Sequence, residues 1–480
     1  MENIRLKLLT KEEVDNIYNK CIDFLVNTGV QVDHDQALKM LNKAGAQVDF
    51  SDNNVRFPKD IIKAALNTAP KTYTLAGQER SRDIKVPHPS GLFYTLINTG
   101  ARNWLEPETN TYHELKLSNV AEWAQLAEAL DEIDCCSILT ATDMPTETCD
   151  IHALKTVLEN TSKHIFLQQF SAESVPYLFE LAFAVSGSAD AFRERPLFTL
   201  FIGSQPPLLF NRLFMESFLQ AARYGAPCLA DPYISMGATT PITIAGTVLQ
   251  QGIEILAMVT MGQIFTPGLP IQPRPLCCGF DWISGKSLHA NIESVLACAA
   301  SVQFCKEGFN LPTESYAFGV DSFTPDGQSA IEATLRGLSV CLAGADIVGA
   351  AGRINSNSAS SPVQLMIDKS LVNILKRAVS GVKVDNDTLA LQDIINTVPG
   401  VGHYMDRMHT VKHCREVLRT ELFIDQSLDD WKAEGSKDLL TRALEEYREV
   451  KKKLQPLPLD EDVKKELTRI IKHADEHLIK

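Results

Sequence analysis

From Gly91 onward the chain alternates between two textures. Short apolar runs, each closing on small or polar residues, are followed by longer stretches in which apolar positions recur every three to four residues. The short runs are Leu92–Ile97, Cys136–Ala141, Ile165–Gln169, Leu197–Ile202, Cys228–Ile234, Ile271–Cys278, Glu314–Phe318 and Asp346–Ala350. Helical patterns lie between them, among them Ser118–Leu130, Ala172–Val185, Leu208–Tyr224, Thr243–Phe265, Ser287–Cys305 and Asp326–Ala343. Strands joined through helices of this length must pair in parallel. Eight such units between residues 91 and 350 fit a (β/α)8 TIM barrel, an α/β fold, better than an open doubly wound sheet. The open sheet is the alternative, but no G-x-G-x-x-G follows the first run to support a dinucleotide site.

The flanks read differently. Residues 1–90 form an N-terminal α+β extension. A helix is expected over Lys11–Asn27, with Thr10 as its cap and acids in its first turn, and a second over about Asp35–Ala44, ended by Gly45. A third, Lys59–Leu66, lies between short strands at "VRFP" and "YTLAG". Beyond about residue 365 the pattern is helical and highly charged. Ser427–Lys453 is followed by a proline break and one more amphipathic helix. The expected division is therefore 1–90 extension, 91–400 barrel and 401–480 C-terminal helical region. The tail is expected to pack on the barrel or on a second subunit, in a homo-oligomer.

Composition narrows the partners. With 45% hydrophobic and 22% charged residues, the 480-residue chain has the makeup of an ordinary globular protein. A net charge of -14 argues against a general nucleic-acid binder, which needs basic surface. The N-terminus lacks a basic start followed by an apolar run, and no eighteen-residue apolar window is free of charge, so a cytoplasmic protein without a membrane span is expected. Eleven cysteines are scattered through apolar segments, with no C-x-x-C. The adjacent pairs Cys135–Cys136 and Cys277–Cys278 would point to opposite faces of a strand and cannot clamp a metal together. They read as buried, reduced thiols.

Chemistry in a barrel of this kind sits at the C-terminal ends of the strands. The residues there include Asn98, Thr99 and Arg102; Gln168 and Phe170; Gly203, Ser204 and Gln205; Tyr233 and Ser235; Gly279 and Phe280; Asp321 and Phe323; Arg353 and Asn355. The set is rich in aromatics, amides and small residues. It offers no nucleophile with a base beside it. Each residue also has an ordinary use: an arginine in a salt bridge, Asp143, Asp321 or Asp326 as a helix cap, Phe and Tyr as core. His409 and His413, four apart in "HYMDRMHTVKH" with His403, would share a helix face. Without the H-E-x-x-H glutamate, and after the barrel, they are expected to bind no metal.

Several long segments carry a resemblance: "NTGARNWLEPETNTYHELKLSNVAEWAQLAEAL", "GVDSFTPDGQSAIEATLRGLSVCLAGADIVGAAG", "VDNDTLALQDIINTVPGVGHYMDRMHTVKHCRE" and "WKAEGSKDLLTRALEEYREV". In this order they resemble the trimethylamine methyltransferase (MttB) superfamily, specifically the members that lack pyrrolysine. The resemblance implies a barrel that hands a methyl group from an amine to the Co(I) corrinoid (cobalamin) of a separate corrinoid protein, with no cofactor bound permanently. Relatives that use trimethylamine carry pyrrolysine after the seventh strand. The corresponding region here, "VDSFTPDG" at residues 320–327, has none. Relatives without it look like demethylases of quaternary amines such as glycine betaine, proline betaine, carnitine or γ-butyrobetaine. Alternatives are a zinc-dependent corrinoid/thiol methyltransferase, which would need a ligand cluster, and a non-catalytic betaine-binding protein on the same barrel.

For a betaine, aromatic faces would hold the cationic head and a guanidinium fork the carboxylate. Arg353, in "DIVGAAGRINSNSASSP", is the first candidate for that fork with Asn355 beside it, and Arg102 the alternative. Asn98, Gln168, Gln205, Tyr233, Phe280, Phe318 and Asp321 complete the expected substrate-binding set.

Overall fold

The structure is a computed structural model and describes residues 4–479. All eight runs become parallel strands: β1 (Tyr94–Ile97), β2 (Cys135–Ser137), β3 (His164–Leu167), β4 (Phe198–Gly203), β5 (Cys228–Asp231), β6 (Ile271–Pro273), β7 (Glu314–Tyr316) and β8 (Ile347–Ala351). Pairing runs continuously from β6 through β5, β4, β3, β2 and β1 to β8 and β7. The ring closes between β7 and β6, where Ser315 Oγ donates to the Pro275 carbonyl at 2.9 Å. After each strand comes its helix: α1 (Leu117–Ala129), α2 (Cys149–Leu158), α3 (Val175–Ser186), α4 (Arg212–Tyr224), α5 (Ile244–Phe265), α6 (Ile292–Phe304), α7 (Gly327–Ala343) and α8 (Pro362–Val379). The α/β barrel is thus as expected.

Two runs end sooner than their apolar pattern suggests. Pro232 separates β5 from Tyr233–Ser235, and Pro273 and Pro275 separate β6 from Leu276–Phe280. Proline has no N–H for the ladder, so the chain steps sideways. The two continuations pair with each other, and Leu276–Phe280 turns back onto Ser287–Leu288. This small sheet forms part of the barrel rim. The helical reading of Leu208–Phe210 is also corrected: Leu209–Phe210 is extended and pairs in parallel with Val30–Val32 of the extension.

The extension covers the outside and the floor. Thr10 caps Lys11–Asn27 with a full capping box, and that helix lies on α5, where a methyl group on Gly252 would meet Cys21 Sγ at 2.9 Å. The hairpin Tyr73–Leu75/Ile84–Val86 enters the N-terminal end of the barrel. Its Leu75, Ile84 and Val86 pack with Tyr94, Leu96, Phe166, Leu229 and Ile347 from inside the ring. That end is plugged, so access is from the C-terminal mouth. Helix α5 is long and apolar enough to cross a membrane, but 72% of its apolar window is buried within the molecule, as a core helix would be. The C-terminal helices Leu439–Lys451 and Glu461–Leu478 pack on α8 and α3. Ten of the eleven cysteines are buried, and all are free.

Candidate active site

Side chains alternate along a strand, so residues two apart face the same side. In this barrel one parity faces inward: Leu229 then Asp231 on β5, Gln272 then Arg274 on and after β6, Glu314 then Tyr316 on β7, and Thr199 then Phe201 on β4. The upper members, Phe201, Asp231, Arg274 and Tyr316, line the floor of a cavity of about 230 Å³ at the mouth. Its walls come from Thr99, Gly100, Gln168, Ser204, Phe214, Tyr233, Leu276, Arg353 and Asn357. A methyl group on Gly203 would lie 2.7 Å from the Phe214 ring, so that glycine lets the ring reach the strand end beside Asp231.

Arg353 is buried, 1% exposed. Strand β8 bulges at Ala350 (φ +75°), turns at Gly352 (φ +81°) and delivers Arg353 inward. Arg353 Nε donates to Asn98 Oδ1 at 2.7 Å and Nη2 to the Thr99 carbonyl at 3.2 Å. The guanidinium lies 4.3 Å from the Tyr316 ring centroid. Nη1 is buried with no partner, and burial lowers the group's proton affinity. A cation so placed lacks an anion. The following loop of short polar residues also finds its reason. Asn355, Ser356 and Asn357 all have positive φ, at 54°, 47° and 90°, a conformation that asparagine tolerates better than most residues. They turn the chain into the hairpin Arg353–Ile354/Ala359–Ser360 and bring Asn357 to the cavity wall, where its Oδ1 is buried and unpartnered.

The opposite pole is acidic. Arg274 Nη1 donates to Asp231 Oδ2 at 2.7 Å, and its Nε lies 2.7 Å from Glu314 Oε2. The guanidinium is held between Phe201 and Tyr316, at 4.5 and 4.4 Å from their centroids. Asp231 Oδ1 remains buried and unpartnered. Burial raises the pKa of both carboxyls against the pull of Arg274, Glu314 to about 7. Tyr316 and Phe201 therefore serve arginines, leaving Tyr233 and Phe214 as the free aromatic faces. The Tyr233 hydroxyl is fixed 2.9 Å from Nε2 of His289, an imidazole that burial keeps neutral.

Of the residues expected from the sequence, the structure brings Arg353, Gln168 and Tyr233 into the cavity and puts Asn98 behind Arg353 as its support. The others lie outside it. Arg102 is exposed in a neighbouring recess with Thr140, Thr142 and Phe170. Gln205 is exposed, Phe318 is core, and Phe280 stacks on Trp282 at the rim. Asn355 serves the turn, its N–H donating to the Ser322 carbonyl at 2.8 Å. Asp321 ties three loops together, accepting from the His289 and Ala290 N–H groups and from Ser356 Oγ. Sequence reading missed Asp231, Arg274 and Tyr316 because it took residues at and beyond the ends of the runs, and these three lie two to four residues inside them. The signal was there: "CLAD", "IQPRP" and "ESYAF" each set a charge in a run otherwise fit for burial. In the histidine segment after the barrel, His409 and His413 lie with ring centroids 4.4 Å apart, while His413 faces Asp387 and Glu416. Among the described residues no group of three or more side chains is arranged to hold a metal ion.

A closed-bottom (β/α)8 barrel with a small, doubly charged cavity at its mouth is the architecture of a barrel enzyme acting on a small polar substrate. A family model described as trimethylamine methyltransferase (MTTB) matches residues 2–478, and the chain belongs to that family. It is 29% identical over 481 residues to a trimethylamine methyltransferase of Desulfitobacterium hafniense, covering 99% of this chain and 95% of that one. It is 23% identical over 470 residues to a glycine betaine methyltransferase of the same species, covering 97% of each. Among solved structures, the monomethylamine methyltransferase of Methanosarcina barkeri aligns with a TM-score of 0.49 and 10% identity over 93% of both chains.

Proposed function

We propose that the protein transfers a methyl group from a carboxylate-bearing quaternary amine, a betaine, to the Co(I) corrinoid of a partner protein. The observation that carries this reading is the unpartnered Nη1 of buried Arg353. Trimethylamine has no anion to offer it. A betaine has a carboxylate for Arg353 and a cationic head for the opposite pole, where Asp231 Oδ1 stands free near Tyr233 and Phe214. The lack of pyrrolysine favours the same division, since the family's trimethylamine users are the ones implied to carry it.

The chemistry suits the residues. In demethylation the carbon–nitrogen bond breaks with its electron pair kept by nitrogen, and the methyl carbon bonds to an electron pair of the acceptor. The leaving group is a neutral tertiary amine, so the step consumes no proton. The corrinoid, carried by the partner as co-substrate, supplies the nucleophile. The chain's own task is to orient one methyl toward the mouth and exclude water. Arg353, held by Asn98 and Thr99, fixes the carboxylate end, and the ammonium end is then defined by the length of the substrate.

The test is methyl transfer to free Co(I) cobalamin across a panel of glycine betaine, proline betaine, carnitine, γ-butyrobetaine, choline and trimethylamine. Turnover confined to carboxylate-bearing quaternary amines is expected. Comparable kcat/KM for trimethylamine, or binding of a betaine with no methyl loss, would overturn the reading.

A further inference from the structure

Between the barrel and the C-terminal helices the chain makes a long excursion. No residue from Val382 to Glu421 is buried. The segment holds the short helices Asn386–Leu389, Leu391–Ile395 and Met408–His413. Helices of this length do not persist in water on local hydrogen bonding alone. Yet Leu391, Ile394, Ile395 and Val398 follow the i, i+3, i+4, i+7 spacing of a packed helix face, and they are 63, 52, 65 and 62% exposed. Sixteen of the twenty-nine exposed large apolar side chains among the described residues lie between Val382 and Leu428. At roughly 100 Å² apiece they expose on the order of 1,500 Å² in sum, enough to supply the ~800 Å² per partner of a standard interface.

We infer that this arm is the dimerisation element, and that its occupant is the same arm of a second copy. The area is that of a permanent interface between identical chains, larger than a transient encounter with a corrinoid protein needs. The arm's charges are largely spent within it: Lys383 pairs with Asp385 at 2.7 Å, Lys412 with Asp387 at 2.5 Å, and His413 with Glu416 at 2.9 Å. The arm as a whole is near neutral, with five Lys/Arg against six Asp/Glu over residues 382–421, on a chain whose net charge of -14 would otherwise oppose self-association. A two-fold contact satisfies both faces at once, since each arm meets the surface it presents.

The experiment compares the full-length chain with Ile395→Asp/Val401→Asp/Met405→Asp, changes confined to exposed positions. Light scattering at micromolar concentration should give the wild type twice the 53.1 kDa of one chain, or an even multiple, and the variant half the wild-type mass with unchanged far-UV circular dichroism. Cys414, the one exposed cysteine, lies in the arm. Its alkylation should be slow in the wild type and at least tenfold faster in the variant. A monomeric wild type, an odd-numbered ring, or an oligomer whose mass survives the three changes overturns the inference. So does a monomer whose Cys414 is protected only when a corrinoid protein is added, an outcome that would assign the arm to that partner.

Discussion

Arg353 shows how one side chain joins stability to specificity. A buried guanidinium short of an anion weakens the free protein, and the carboxylate of the proposed betaine substrate would relieve that cost on binding. Arg353→Ala should raise KM for a betaine by the equivalent of roughly 2–4 kcal/mol and leave a quaternary amine without a carboxylate nearly unaffected. Arg353→Lys should rescue only part, since an ammonium makes no fork. Asp231→Asn separates the poles: it should weaken every quaternary amine, carboxylate or not, in steady-state kinetics across the same panel. If the two variants show the same substrate pattern, the two-pole assignment fails. Behind Arg353, Asp368 is buried in α8 and accepts the Gly352 N–H at 2.7 Å, fixing the turn. Burial pushes its carboxyl to about 7, so the folded state holds a proton that the unfolded chain releases above about pH 4. That contribution to stability is complete below the unfolded value and lost as pH rises through about 7. Asp368→Asn still offers Gly352 an acceptor, and Gln364 has an unpartnered Oε1 to turn toward the new amide. Between about pH 4 and 8, urea titrations should show the wild type losing roughly 2–4 kcal/mol relative to the variant. A pH-independent difference would refute the shift.

At the scale of elements, the sequence pattern and the fold agree where the physics is local. Eight apolar runs became eight strands because burial on both faces demands such runs, and helices such as Lys11–Asn27 carried their own caps. What the pattern could not give was the layer within each strand. Parity along β5, β6 and β7 decides that Asp231, Arg274 and Tyr316 face the cavity, and parity has no meaning until strand ends are known. Three prolines moved those ends. The turn after β8 was half legible: a glycine and two asparagines marked left-handed backbone, but not its direction. Gly352, at φ +81°, has no room for a side chain, since a methyl group would lie 2.4 Å from Trp123 Cη2. Gly352→Ala should therefore lower stability by roughly 1–3 kcal/mol through strain and overpacking. It should also raise KM for a betaine more than for a quaternary amine without a carboxylate, because the turn aims Arg353. Equal effects on both substrates would mean that the turn serves stability alone.

For the whole molecule, the plugged floor directs the approach to the cavity through the C-terminal mouth, and the side of its rim formed after β5, β6 and β7 is apolar. Ile242 follows β5, Trp282 and Ile283 lie in the loop of the rim hairpin, and Phe323 follows β7. Their exposures are 60, 63, 98 and 57%. Trp282 and Ile242 flank Gly237, where a methyl group would meet them at 2.8 and 3.3 Å, so two loops form one surface. Lys286 lies over the Phe323 ring at 4.3 Å and joins the third. Apolar groups along one side of the mouth suit the proposed corrinoid-protein partner, which would have to dock, release and return, and aromatic anchors carry most of the energy in such contacts. Trp282→Ala with Ile283→Asp should raise KM for the corrinoid protein at least tenfold, on the order of 1–2 kcal/mol. Transfer to free Co(I) cobalamin, and the thermal shift produced by a saturating betaine, should stay as in the wild type, since neither side chain lines the cavity. Loss of both activities together would place these residues in the site rather than at the docking face. An unchanged KM for the corrinoid protein would move the docking surface away from this rim.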